Sequence, residues 1–144
     1  MKPSFIVAAL ALAALGTGAA SAATITFTVQ NQNTTTTINN TYLNTCGTIS
    51  PALGPISPST TSPTHSANCG TTTAFVFDYL GGSRKCRFNV SSVYTPPNPL
   101  LGTSAYWTPS VGATPTGTGT VCRAVITSIA GLGAGNFTVA FSMQ

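Results

Sequence analysis

Residues 73–94 read TAFVFDYLGGSRKCRFNVSSVY, two runs with a side-chain period of two separated by a Gly-Gly pair. Successive side chains of a strand point to opposite faces, so this pattern demands pleated ribbons and argues against an amphipathic helix. In the first run Phe75, Phe77 and Tyr79 share one face, and Ala74, Val76, Asp78 and Leu80 share the other. Both faces are largely apolar, which predicts a central strand. Glycine reaches positive φ without strain, so Gly81-Gly82 predicts the tight turn, with Ser83 extending it. On the return run Cys86, Phe88, Val90 and Tyr94 point inward, while Lys85, Arg87, Asn89 and Ser91 point outward.

The same period recurs at both ends. Residues 24–30, TITFTVQ, place Ile25, Phe27 and Val29 on one face, and residues 136–143 place Phe137, Val139, Phe141 and Met143 on one face. A strand over 120–129 carries Cys122, and one over 38–43 would turn Ile38 and Tyr42 inward. Proline cannot donate a ladder hydrogen bond. Pro51, Pro55, Pro58 and Pro63 therefore predict that 47–68 is a loop and not a strand pair. Pro96, Pro97, Pro99, Pro109 and Pro115 predict that 95–119 is mostly irregular, with Ala105-Tyr106-Trp107 as a short strand or an anchor. Tyr106 and Trp107 could stack on sugar rings, but a packing role is the better expectation for such bulky side chains.

Lys2, the apolar run 5–15 and the Ala20-Ser21-Ala22 cleavage pattern read as an export signal over 1–22. The remaining 23–144 form one domain's worth of chain, without a second stretch apolar enough to span a bilayer. Cys46, Cys69, Cys86 and Cys122 are an even set in an exported chain, which predicts two disulfides. Four cysteines allow three pairings. Cys46 and Cys69 bracket the Pro-rich loop, so bonding them ties it down and leaves Cys86 with Cys122; we favour that pairing.

Charge is scarce. An ordinary soluble domain is about one-quarter charged, whereas this chain is 4% charged and contains no Glu. Residues 23–144 hold Arg84, Lys85, Arg87 and Arg123 against the single acid Asp78, a net charge of +3. One acid rules out chemistry by paired carboxylates. His65, Asp78 and a serine could be drawn as a triad, but His65 falls in the Pro-rich loop and no G-x-S-x-G segment is present. The plainer expectation is an exposed loop histidine and a surface aspartate. A metal site built from His65 with Cys46 or Cys69 would need free thiolates, which export disfavours; no metal or cofactor is expected. Arg84, Lys85 and Arg87 are the candidate contact for an anionic surface or polymer, with a solvated hairpin tip as the alternative. Three cations are too few to suggest specific nucleic-acid binding. Asn33, Asn39, Asn89 and Asn136 each begin an N-x-S/T sequence, a frequent chance outcome in a chain so rich in Asn and Thr.

The two ends carry a family resemblance. Gly131 stands fourteenth from the end and precedes the alternating Phe137, Val139, Phe141 and Met143. This resembles the C-terminal strand of pilins assembled by the chaperone–usher route, although Met143 stands where that family favours an aromatic. Ile25, Phe27 and Val29 are similar to the donor strand that such subunits lend to a neighbour. The resemblance covers about thirty residues. It implies assembly strands at Ile25, Phe27 and Val29 and at Phe137, Val139 and Phe141, joined between subunits by main-chain hydrogen bonds.

The expected fold is all-β: an antiparallel sandwich, immunoglobulin-like or pilin-like, or a small barrel. The expected function is a non-catalytic structural or adhesive domain, secreted or at the cell surface, that associates with itself or with another extracellular protein. The alternative is a secreted monomeric binding module or inhibitor that uses the loops 47–68 and 95–119.

Overall fold

A computed structural model describes residues 23–69, 73–131, 133 and 135–144; the export signal read over 1–22 lies outside the described residues. Nine strands follow in chain order: β1 (Thr24–Asn31), β2 (Asn39–Asn44), β3 (Thr48–Ser50), β4 (His65–Asn68), β5 (Thr73–Gly81), β6 (Arg84–Thr95), β7 (Tyr106–Thr116), β8 (Cys122–Ala130) and β9 (Asn136–Met143). They form a sandwich of two sheets, ordered β3-β4-β1-β9-β8 and β2-β5-β6-β7. Among the described residues no helix is long and apolar enough to cross a membrane.

The terminal strands are neighbours. β1 pairs in parallel with β9, Ile25 opposite Phe137 and Asn31 opposite Met143, and antiparallel with β4 on its other side. The sandwich is therefore antiparallel except at its centre. Ile25, Phe27, Val29, Phe137, Val139 and Phe141 are all buried in the core of their own chain. Phe27 from the five-stranded sheet stacks on Phe77 of the other at 5.4 Å between ring centroids. Phe141 meets Phe77 edge-on at 5.2 Å and lies tilted against Phe88 at 4.9 Å. Burying each ring contributes about 1.5–3 kcal/mol, and edge-on or offset contacts add about 0.5–1.5 kcal/mol each.

Both disulfides form as expected, Cys46 with Cys69 and Cys86 with Cys122. The second joins β6 to β8, and so one sheet to the other. Two formed disulfides point to an oxidising, extracytoplasmic compartment.

Several local expectations are corrected. The turn is one residue shorter than Gly81-Gly82 extended by Ser83. Gly81 pairs with Arg84, leaving Gly82-Ser83 as the two-residue loop, with Gly82 at φ +63°. Tyr42 points outward, because a bulge between Asn40 and Tyr42 inserts one residue and reverses the alternation after the buried Ile38. The segment 47–68 is not only loop. Its ends are β3 and β4, an antiparallel pair that extends the sheet edge next to β1, and its four prolines lie between those strands. Much of 95–119 is regular too: β7 pairs with β6 along its whole length despite Pro109 and Pro115. β7 is an edge strand, so one side of it needs no ladder donors. The two prolines lie an even number of residues apart, so both can place the missing N–H on that open side.

Trp107 is the anchor at the start of β7. It is buried, with its ring 5.2 Å from that of Tyr94 and laid over Gly135; Tyr106 is half exposed. Gly135 has φ +68°, and a Cβ there would sit 2.8 Å from the indole, so both conformation and space require glycine.

Candidate functional site

The five charged side chains among the described residues all lie in one half of the sandwich. Asp78, Arg84, Lys85 and Arg87 flank the Gly82-Ser83 turn, and Arg123 is the second residue of β8, next to the Cys86–Cys122 bond. Asp78 belongs to the outer face of β5, yet its side chain is fully buried. Its cover is made by cations. Arg87 donates from Nε to Oδ1 at 2.8 Å and from a terminal nitrogen to Oδ2 at 2.9 Å, and Lys85 Nζ lies 2.7 Å from Oδ2. The outward Tyr42 ring lies 5.3 Å from the Arg87 guanidinium, a cation–π contact. The hydrogen bonds from Arg87 hold the Asp78 carboxyl below the usual carboxylate range, helped by Lys85 and opposed by burial.

This arrangement splits the basic cluster seen in the sequence. Lys85 and Arg87 are committed to Asp78, whereas Arg84 and Arg123 have no acidic side chain to pair with in residues 23–144. Arg84 alternates with the outward Lys85 and leans toward the open end between the sheets. There it borders a cleft of about 390 Å³ formed by residues 32–36, the Gly82-Ser83 turn and Gln144. One guanidinium nitrogen lies 3.5 Å from Asn33 Oδ1. Asn33 is itself held, since its backbone and side-chain nitrogens both donate to Asn31 Oδ1. Asn31 is fully buried and donates to the carbonyls of Thr36, Ile56 and Ser57. Pattern reading of β1 gave no sign of this organising role; a polar residue on the inward phase after Ile25, Phe27 and Val29 is the signal that was available.

His65 is not an exposed loop residue. It starts β4, is buried against Phe27 at 5.2 Å between rings, and its Nδ1 donates to the Pro51 carbonyl at 2.7 Å. Phe77, which packs on Phe27, and Asp78 lie on opposite faces of β5. The four-stranded sheet thus separates His65 from Asp78, and the triad drawn from sequence does not assemble. Cys46 and Cys69 are bonded to each other, so neither offers a thiolate. Among the described residues no group of three His, Cys, Asp or Glu side chains could hold a metal. Of the N-x-S/T asparagines, Asn33 is spent in the network above and Asn136 accepts from the Thr24 backbone at 2.8 Å.

The opposite half of the molecule has no charged side chain among the described residues, and it ends in the connection between β6 and β7. Leu100 and Leu101 are 96% and 75% exposed there, with Val93 and Tyr106 exposed on the flanking strands. The tip is shaped by Asn98, which pairs with Thr103 through the backbone and whose Oδ1 accepts from the amides of Leu100 and Leu101. Compared with protein-family models and with curated proteins, the chain matches none.

Proposed function

We propose that this chain is a non-catalytic, exported structural or adhesive β-domain that works by surface contact at its uncharged end. The observation that carries the reading is the tip at 95–105, which holds two leucines in solvent on a braced hairpin extension. Ordered, exposed apolar groups on a rigid edge suit a contact with another surface. Scarce charge also leaves little repulsion between copies. A filament subunit of the pilin kind is the finer form of the reading. Donating β1 to a neighbour would remove it from between β4 and β9, where both its edges are already paired, so the contact is assigned to the tip.

The test is the oligomeric state of the oxidised, exported chain, by light scattering after gel filtration and by electron microscopy. Concentration-dependent association or filaments are expected, and the double substitution L100S/L101S should abolish them. A strict monomer at high concentration would overturn self-assembly. The internal pairing of β1 favours a second reading, a monomeric binding module or inhibitor contacting its target through the same loop. A monomer whose defined extracellular target is lost on L100S/L101S would establish that reading instead.

A further inference from the structure

The cleft beside Arg84 lies at the other end of the molecule from the tip and shares no residue with it. Three observations meet there. Arg84 carries a guanidinium with no acidic side chain to neutralise it, because Asp78 is already held by Lys85 and Arg87. The walls supply hydroxyls and amides from residues 32–36 and from Ser83. The 32–36 wall is fixed in advance by the buried Asn31, and Asn33 Oδ1 steadies the Arg84 head. A volume of about 390 Å³ lies within the range of small-molecule sites.

We infer that this cleft binds a sugar bearing one carboxylate, such as a uronic acid unit of an acidic polysaccharide. One cation matches one anionic group, and a guanidinium meets a carboxylate with two parallel hydrogen bonds. The many hydroxyl and amide groups match a polyol, which both donates and accepts. A preformed wall lowers the ordering cost of binding. Lys85 and Arg87 take no part, since releasing either would uncover the buried Asp78 carboxylate.

The test is a calorimetric or NMR titration of the oxidised chain with a galacturonate oligosaccharide, the corresponding neutral galactose oligosaccharide, and inorganic phosphate. The acidic sugar should bind, and the neutral sugar and phosphate should each bind at least about tenfold more weakly. R84Q should weaken the acidic sugar by about tenfold or more while thermal unfolding stays unchanged. L100S/L101S should leave sugar binding intact, which separates this site from the contact at the tip. Should R84Q not fold, weakening of wild-type binding by added salt gives the same answer. No binding of the acidic sugar, equal binding of the neutral sugar or phosphate, salt-insensitive binding, or a folded R84Q that binds as wild type would each overturn the assignment.

Discussion

Arg87 closes over Asp78 across the β5–β6 ladder, two nitrogens of one guanidinium meeting the two oxygens of one carboxylate at 2.8 and 2.9 Å. The pair lies on the outside of the sandwich, yet it buries the acid completely. Its cations stay partly in water, which limits what the pair contributes.

Replacing Asp78 by Asn should cost about 1–2 kcal/mol at neutral pH. The folded carboxyl titrates below its ordinary value, so its stabilisation is complete above the ordinary range and fades as pH falls through the folded value. Wild type should therefore lose stability below about pH 4, and D78N should lose much less over that interval. Urea unfolding across the acid range measures both slopes.

Tyr79 should govern the alkaline side. Its hydroxyl donates to the Gly54 carbonyl at 3.1 Å, and burial pushes its phenol up to about 12. The unfolded phenol ionises near its usual value of about 10, so stability should drop as pH rises from there toward the folded value. Y79F should cost about 1 kcal/mol at neutral pH and remove most of that alkaline loss. Denaturant titrations at neutral and alkaline pH read the two effects.

Two glycines offer a matched comparison. Gly131 and Gly135 both hold positive φ, but a Cβ meets open space at Gly131 and the Trp107 ring at Gly135. G131A should cost about 1 kcal/mol, the backbone term alone. G135A should cost at least about 2 kcal/mol and shift the tryptophan emission, because the indole must move.

The disulfides should contribute unequally. By loop entropy alone each is worth about 3–4 kcal/mol. Cys86 is also wholly buried and ties the sheets together, whereas Cys46–Cys69 closes one edge. C86S/C122S should therefore lower the melting temperature more than C46S/C69S does.

Strands were legible in the sequence where alternation ran uninterrupted, as in β1 and β9, and the cysteine pairing followed from the loop it had to tie. β7 is hidden because proline excludes pairing in an interior strand, a rule that lapses on the open side of an edge strand. Tyr42 was misplaced because a bulge leaves no mark in composition. The turn shows how far one residue matters. A loop over 81–83 would put Cys86 opposite Asp78, whereas the actual loop at Gly82-Ser83 puts Arg87 there. The burial of Asp78, and with it the freedom of Arg84, follows from that shift. The cleft was unreadable because its wall depends on Asn31 reaching carbonyls that lie far along the chain.

The parallel seam between β1 and β9 joins Thr26 to Thr138 through their hydroxyls at 2.8 Å. The two strands stand 112 residues apart in the chain, so the middle of the five-stranded sheet closes only through a contact of very long sequence separation. The entropy of bringing such distant segments together has to be met before the contact forms, which makes this seam a late and slow step of folding.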